Sequence, residues 1–335
     1  MRTNASFLIV PLTLGLGLLA GCADDVTVSP AGSTGAGGSP AASGATTGAG
    51  GSASTTSVSG GTGGLDPATT TLTATMGPYS IPAGEEAVKC IIVNLGNAAP
   101  AFVRRFRTKL ELGSHHLIVY LSDEPENLTP FDCQSFGAAG GSAIFIAQQA
   151  QSELVFPKDP SGVPVGFELA ANQKLRLEMH YINATGAPLN VVGKAEMDVL
   201  PDSANIIKSA FAFEGEFNIP VIPAQGEADT GLRFQQGLPG THVFALTTHQ
   251  HHLGSEMKVW FANDQSDTSS LVADSLSWSD PPLVTFAPAL DFPIGSTKGF
   301  NYQCHWKNPT PAAVQGGLGA NDEMCFFWHY YYPAP

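Results

Sequence analysis

Positive charge is scarce in this chain. Its 335 residues carry 15 Lys and Arg against 29 Asp and Glu, a formal net charge of -14. No basic cluster offsets that balance, which argues against nucleic acid and against anionic lipid surfaces as partners. The acidity serves solubility and is silent about fold. Also missing is any long stretch with a 3.6-residue apolar period and caps at its ends, so helices are not expected to build the core. No clear internal repeat is present. The apolar run Phe7–Leu19 is too short and too weakly flanked for a transmembrane helix.

That run has another reading. Arg2 gives a short positive start, and Leu19-Ala20-Gly21-Cys22 closes the segment. Together they read as an export signal with a cleavage box. The box resembles that of bacterial lipoproteins, which implies cleavage before Cys22 and lipid on its sulfur. With Ala23 rather than Asp next, a Gram-negative lipoprotein of this type would go to the outer membrane. Residues 1–21 are therefore expected to be a signal peptide. The mature chain is expected in the bacterial cell envelope, touching the membrane only through its lipid anchor. Residues 24–68 are Gly, Ser, Thr and Ala with almost no large apolar side chain. Such a segment cannot bury enough surface to offset its chain entropy, so residues 22–68 are expected to form a lipidated, disordered tether.

Five cysteines are present. With Cys22 lipidated, Cys90, Cys133, Cys304 and Cys325 remain. Four cysteines in an exported chain suggest two disulfides, with three possible pairings.

Beyond residue 70 the composition shifts to short apolar runs broken by Pro, Gly and Asn. Leu175, Leu177 and Met179 alternate with Arg176, Glu178 and His180. Val243, Ala245, Thr247, His249 and His251 fall on one face of another run. Met257–Phe261 and Cys325–Tyr332 are short and aromatic or β-branched. Strands at this spacing suggest β-sandwiches or barrels. Leu200–Asn205 is a plausible boundary between two domains, at residues 69–203 and 204–335.

His249-Gln250-His251-His252-Leu253-Gly254 and Asp322-Glu323-Met324-Cys325 carry the chemistry. Histidines at i and i+2 of a strand share a face and can close on one metal. Zinc with two histidines and a distant carboxylate competes with copper there. A methionine thioether combined with imidazole would select copper, although a lone Met is more often core filler. His252 lies on the opposite face. His115 and His116 are adjacent and diverge in a regular strand. They share one ion only if the backbone is irregular or the rings swing together. His180 lies on the polar side of its strand with Arg176 and Glu178, which would otherwise be a solvated face. His242, His305 and His329 read as structural or surface residues, and Asp123-Glu124 and Asp322-Glu323 as solvated loop charges.

In chain order, Gly113-Ser114-His115-His116-Leu117-Ile118, Met179-His180-Tyr181, the HxHH segment and Asp322-Glu323-Met324-Cys325 resemble the copper type II, ascorbate-dependent monooxygenases. That is the family of peptidylglycine α-hydroxylating monooxygenase and dopamine β-monooxygenase. The resemblance spans residue 75 to the C-terminus. It implies an all-β chain of two tandem jelly-roll sandwiches, each carrying one copper, facing each other across a solvent-filled cleft. Carried over, His115, His116 and His180 match the electron-transfer copper. His249, His251 and Met324 match the copper that binds dioxygen and attacks the C–H bond. The disulfides implied are Cys90–Cys133 and Cys304–Cys325. No lyase domain, such as follows in bifunctional animal members, is expected within these residues.

Departures narrow the substrate. Thr247 stands where the peptide hydroxylase has an Arg that holds the substrate carboxylate. Phe326 and Trp328 stand where it has Asn and Tyr. An aromatic, uncharged pocket of Thr247, Phe326 and Trp328 is therefore expected, suited to an apolar or aromatic small molecule rather than a C-terminal glycine peptide. The expected cofactors are two copper ions, with ascorbate or another one-electron donor as reductant and O2 as co-substrate. A non-enzymatic copper-binding lipoprotein, for storage or electron transfer, is the alternative. Oligomeric state is not legible.

Overall fold

The computed structural model describes residues 70–133, 143–201, 205–317 and 321–334. These form strands and no helix. In chain order they are β1 (Thr70–Ile81), β2 (Glu86–Asn94), β3 (Ala101–Leu110), β4 (Ser114–Ser122), β5 (Asn127–Asp132), β6 (Ala143–Ala147), β7 (Gln151–Val155), β8 (Val165–Leu169), β9 (Lys174–Ile182) and β10 (Leu189–Pro201). Then follow β11 (Ile207–Lys208), β12 (Ala210–Glu216), β13 (Gly226–Asp229), β14 (Arg233–Gln236), β15 (Thr241–His249), β16 (Gly254–Ala262), β17 (Leu271–Ser275), β18 (Leu283–Phe292), β19 (Gly299–Asn308) and β20 (Cys325–Pro333). The all-β class expected from the sequence is what folds.

Four sheets result. One runs β1-β10-β3-β8-β11 with β7 also on β3, and a second runs β5-β2-β9-β4-β6. The others run β12-β20-β15-β18 and β13-β19-β16-β17, with β14 also on β19. The first two use residues up to Lys208, the last two those from Ala210. Apart from the β16–β17 pair, sheet neighbours are non-consecutive in sequence, as a jelly-roll sandwich requires. The expected signal peptide, Cys22 and the expected tether to residue 68 lie outside the described residues. So does the boundary expected at 203/204.

Alternation explains the first core. Leu175, Leu177, Met179 and Tyr181 of β9 face Met76, Phe106 and Met197 of the opposite sheet. Packing is close: a Cβ on Gly193 of β10 would meet the Met179 sulfur at 2.6 Å. The other face of β9 is not solvated as its polar residues suggest. Arg176, Glu178 and His180 are all buried. Glu178 accepts a 3.0 Å hydrogen bond from the Tyr120 hydroxyl, so its polar groups are satisfied inside the protein.

The second core gathers Leu246, Met257, Phe292, Phe300, Trp306 and Phe327. Its strand β15 departs from the sequence reading. A register shift between Val243 and Ala245 places an extra residue in the strand. Val243 therefore joins the second core, while Phe244 and Ala245 join the first. The single face expected for Val243 to His251 is broken at this bulge. The bulge also lets the sandwiches touch: Phe244 packs on Phe156 at 5.4 Å between centroids. Tyr330 accepts a hydrogen bond from the Ile146 amide at 3.4 Å.

Both expected disulfides form, Cys90–Cys133 and Cys304–Cys325. The first ties β2 to the end of β5. The second ties β19 to the start of β20.

Candidate metal centre

His115 and His116 sit at the start of β4. Ser114 pairs with Tyr181 of β9 and His116 with His180, so the register shifts by one residue at His115. This bulge is the irregular backbone that two adjacent histidines need in order to share a site. The ligand atoms of His115, His116 and His180 lie within 4.8 Å of one another, and all three residues are buried. Burial holds the imidazoles of His115 and His116 well below their ordinary range, with repulsion between the neighbouring rings adding to the effect. Neutral imidazole is the metal-binding form.

His249 ends β15, and His251 lies just beyond it in the turn that leads into β16. The i, i+2 geometry thus comes from a strand end and a turn rather than from one strand. The turn is tight. Gly254 donates to the His251 carbonyl at 2.9 Å, and a Cβ on Gly254 would strike Gln250 at 2.5 Å. The two rings stand 5.3 Å apart and perpendicular. Burial lowers His249 well below its ordinary range and takes His251 to about 4.

Each ring is oriented by an acceptor on Nδ1. Gln148 meets His249 Nδ1 at 2.5 Å, and the Asp322 carbonyl meets His251 Nδ1 at 2.7 Å. With hydrogen on Nδ1, both rings carry the lone pair on Nε2. His180 is the opposite case, with Nε2 against the Glu86 carboxylate, which leaves Nδ1 for a metal.

Glu323, expected as a solvated loop charge, is fully buried. Its oxygens accept from the His251 amide at 3.0 Å, the Leu253 amide at 2.6 Å and the Trp306 indole at 3.0 Å. Burial pushes its carboxyl up to about 7, against the pull of those donors. This carboxylate shapes the HxHH turn. Met324 beside it is also fully buried, between Glu323 and the disulfide at Cys325. Asp123 and Glu124 are exposed, as expected.

The two histidine sets adjoin. The His249 ring lies 6.0 Å from that of His115 and 5.6 Å from that of His116. The solvent-filled cleft implied by the resemblance is replaced here by ring-to-ring contact. Trp278, on the β17–β18 connection, closes edge-on over His115 at 4.8 Å. A cavity of about 270 Å³ opens beside the cluster, lined by Glu86, His115, His180, Ile182, His251, His252, Trp278 and Asn321.

None of the expected pocket residues Thr247, Phe326 and Trp328 lines this cavity; all three are buried. Trp328 stands edge-on to His249 at 5.4 Å. Thr247 faces Trp328 across β15 and β20 and lies 3.3 Å from the Gln148 amide nitrogen. Phe326 stacks on Phe213 at 4.1 Å. Gln148, Glu86 and Trp278 were missed by sequence reasoning. They belong to no motif, and only the folded sheets bring them to the histidines. His242 and His305 pair with Asp291 and Glu227, away from the cluster. His329 is buried among Phe300, Phe327 and Tyr331.

The donor set fits copper. Three buried imidazoles gathered within 4.8 Å suit a borderline ion such as copper.

Residues 228–335 match the family model described as copper type II ascorbate-dependent monooxygenase, C-terminal domain. Among solved structures, similarity is found to the STIV major capsid protein at 10% identity, covering 79% of this chain and 97% of that one, TM-score 0.34. The major capsid protein of bacteriophage PM2 matches at 8% identity over 80% of this chain and 98% of that one, TM-score 0.34. At those scores the likeness carries no functional argument.

Proposed function

We propose that this chain is a copper- and ascorbate-dependent monooxygenase that hydroxylates an activated C–H bond of an apolar or aromatic small molecule. The observation that carries the reading is one buried site built from five histidines of both sandwiches. It sits in a chain whose residues 228–335 match that family's C-terminal domain. Copper bound there would supply one-electron chemistry with O2, with ascorbate or another one-electron donor as reductant.

The chain's own part is geometric. His115, His116 and His180 hold one ion, and His249, His251 and Met324 hold the second. Gln148 and the Asp322 carbonyl aim the Nε2 lone pairs of the second set. Glu323 holds the turn that carries His251. Trp278 and Ile182 give the cavity an apolar wall, while Trp328 backs His249, with Thr247 and Phe326 beside it on β15 and β20. Among the described residues, no Lys or Arg lines the cavity, and Glu86 contributes a carboxylate. A substrate carboxylate would meet repulsion there, so a peptidylglycine fits poorly.

The reading includes export and lipidation at Cys22, supported by the Leu19-Ala20-Gly21-Cys22 box. A Cys22→Ala variant should be blocked in processing or move to the soluble phase on detergent partitioning.

The deciding experiment measures oxygen uptake by copper-loaded protein with ascorbate, across a panel of aromatic and apolar substrates. Uptake coupled to a hydroxylated product supports the proposal. Firm copper binding without substrate-dependent uptake would instead indicate a copper-storage or electron-transfer lipoprotein.

A further inference from the structure

Gln148 is buried just after β6, in the first sandwich, yet every side-chain hydrogen bond it makes here goes to the second. Its Nε2 lies 2.7 Å from the Thr248 carbonyl and 3.3 Å from the Thr247 hydroxyl. Its Oε1 lies 2.5 Å from His249 Nδ1. A carbonyl only accepts, so the amide end facing Thr248 must be the NH2. The end facing His249 is then the oxygen, which also only accepts. His249 must therefore carry its hydrogen on Nδ1. A neutral ring with its hydrogen on Nδ1 has its lone pair on Nε2.

We propose that Gln148 is the positioning residue of the His249 imidazole, an inter-sandwich amide that fixes its tautomer and directs Nε2 to the metal. The inference rests on the copper reading for its last step only; the tautomer is a property of the metal-free protein. A plain packing residue would need no oriented amide. The Thr248 contact makes the orientation obligatory, because a flipped amide would set its oxygen against the Thr248 carbonyl, two acceptors facing each other. The same three contacts make the ring's geometry depend on how the sandwiches dock. Partners of this kind, one step behind the ligand, typically change metal affinity by about 10- to 100-fold when removed.

The test uses the full chain with ring-15N histidine and no metal. Two- and three-bond proton–nitrogen correlations separate the tautomers, and the His249 signals are those lost in His249→Gln. The wild-type ring should be the Nδ1–H form. Gln148→Leu keeps the volume but removes the acceptor, and should shift the ring to Nε2–H or a mixture. Gln148→Glu, with its carboxyl proton on the oxygen that faces the Thr248 carbonyl, keeps an acceptor for Nδ1 and should retain Nδ1–H. An Nε2–H ring in the wild type, or an unchanged tautomer in Gln148→Leu, overturns the proposal. If Gln148→Leu does not fold, the wild-type tautomer and Gln148→Glu decide it alone. Copper(I) competition then reads the consequence: in Gln148→Leu one copper should weaken roughly tenfold or more while the other holds. Equal affinity in both proteins would remove the metal-directing role. Failure of the wild type to bind copper would overturn the proposed function and leave the tautomer result standing.

Discussion

The His116 ring of the first sandwich lies 5.6 Å, centroid to centroid, from the His249 ring of the second. Two ligand sets read from distant sequence segments are thus neighbours. Removing one should be felt by the other.

His249→Ala should lose one copper equivalent and keep the second on His115, His116 and His180. Because those rings touch His249, the Cu(II) electron paramagnetic resonance spectrum of the retained ion should also change. Metal analysis and that spectrum test both statements. Retention of two coppers would break the assignment of His249, and an unchanged spectrum would argue that the sets are uncoupled.

Glu86 meets His180 at Nε2, and this hydrogen bond holds the Glu86 carboxyl below its ordinary value. A carboxylate behind an imidazole raises the basicity of the ligand nitrogen and favours the more highly charged metal. Glu86→Gln should therefore raise the reduction potential of the His115/His116/His180 copper and weaken its Cu(II) binding by roughly tenfold. Redox titration followed by paramagnetic resonance reads it. An unshifted potential would make Glu86 a surface partner and nothing more.

Glu323 accepts from three N–H groups inside the protein. Glu323→Gln keeps the shape but turns one acceptor into an NH2 facing donors. Each buried donor left without a partner costs about 1–3 kcal/mol. The variant should melt lower and lose the His249/His251 copper before the other, seen by calorimetry with metal analysis. Wild-type stability would mean that the turn is held by other contacts.

His329 gives a pH dependence away from the ligands. Burial holds it at about 4, against an ordinary 6.5. Below pH ~6.5 the unfolded chain takes up this proton and the native one does not, so stability falls as pH drops from about 6.5 to about 4. The loss approaches about 3 kcal/mol at the low end. Above pH 6.5 the group contributes no slope. Glu323, raised to about 7, runs the other way, since the native state keeps its proton while the unfolded one releases it between about 4.5 and 7. Urea unfolding at pH 7.5, 6 and 5 should show His329→Phe losing less stability on acidification than the wild type. Parallel curves would refute the account.

The β class and the five clustered histidines were legible because alternation and motif order are local. The bulge at His115 was foreseeable only as a condition: adjacent histidines diverge unless the strand is irregular. The bulge at Phe244 was not foreseeable, because an unbroken alternation from Val243 to His251 reads as one face. Glu323 was misread since a charged pair beside a cysteine looks like a loop. Its burial depends on Trp306 and on two amides of the His251 turn. Gln148 and Trp278 carry no local signal, since their partners lie about a hundred residues or more away in sequence or across the two sandwiches.

Met324 is the proposed ligand whose role is separable from folding. It is fully buried, held between Glu323, which anchors the His251 turn, and Cys325, joined to Cys304. Met→Leu is close to volume-conserving and usually costs less than about 1.5 kcal/mol. Met324→Leu should therefore fold and keep the His115/His116/His180 copper while losing most hydroxylation. Met324→His keeps a donor but exchanges a soft thioether for a harder imidazole, which favours Cu(II) over the Cu(I) that must meet oxygen. It too should bind metal and turn over poorly, so loss of a ligand and change of its softness are read separately. Copper content and substrate-coupled oxygen uptake are measured on both variants. If Met324→Leu hydroxylates a confirmed substrate at the wild-type rate, the thioether is packing and the His249/His251 site takes its third donor elsewhere.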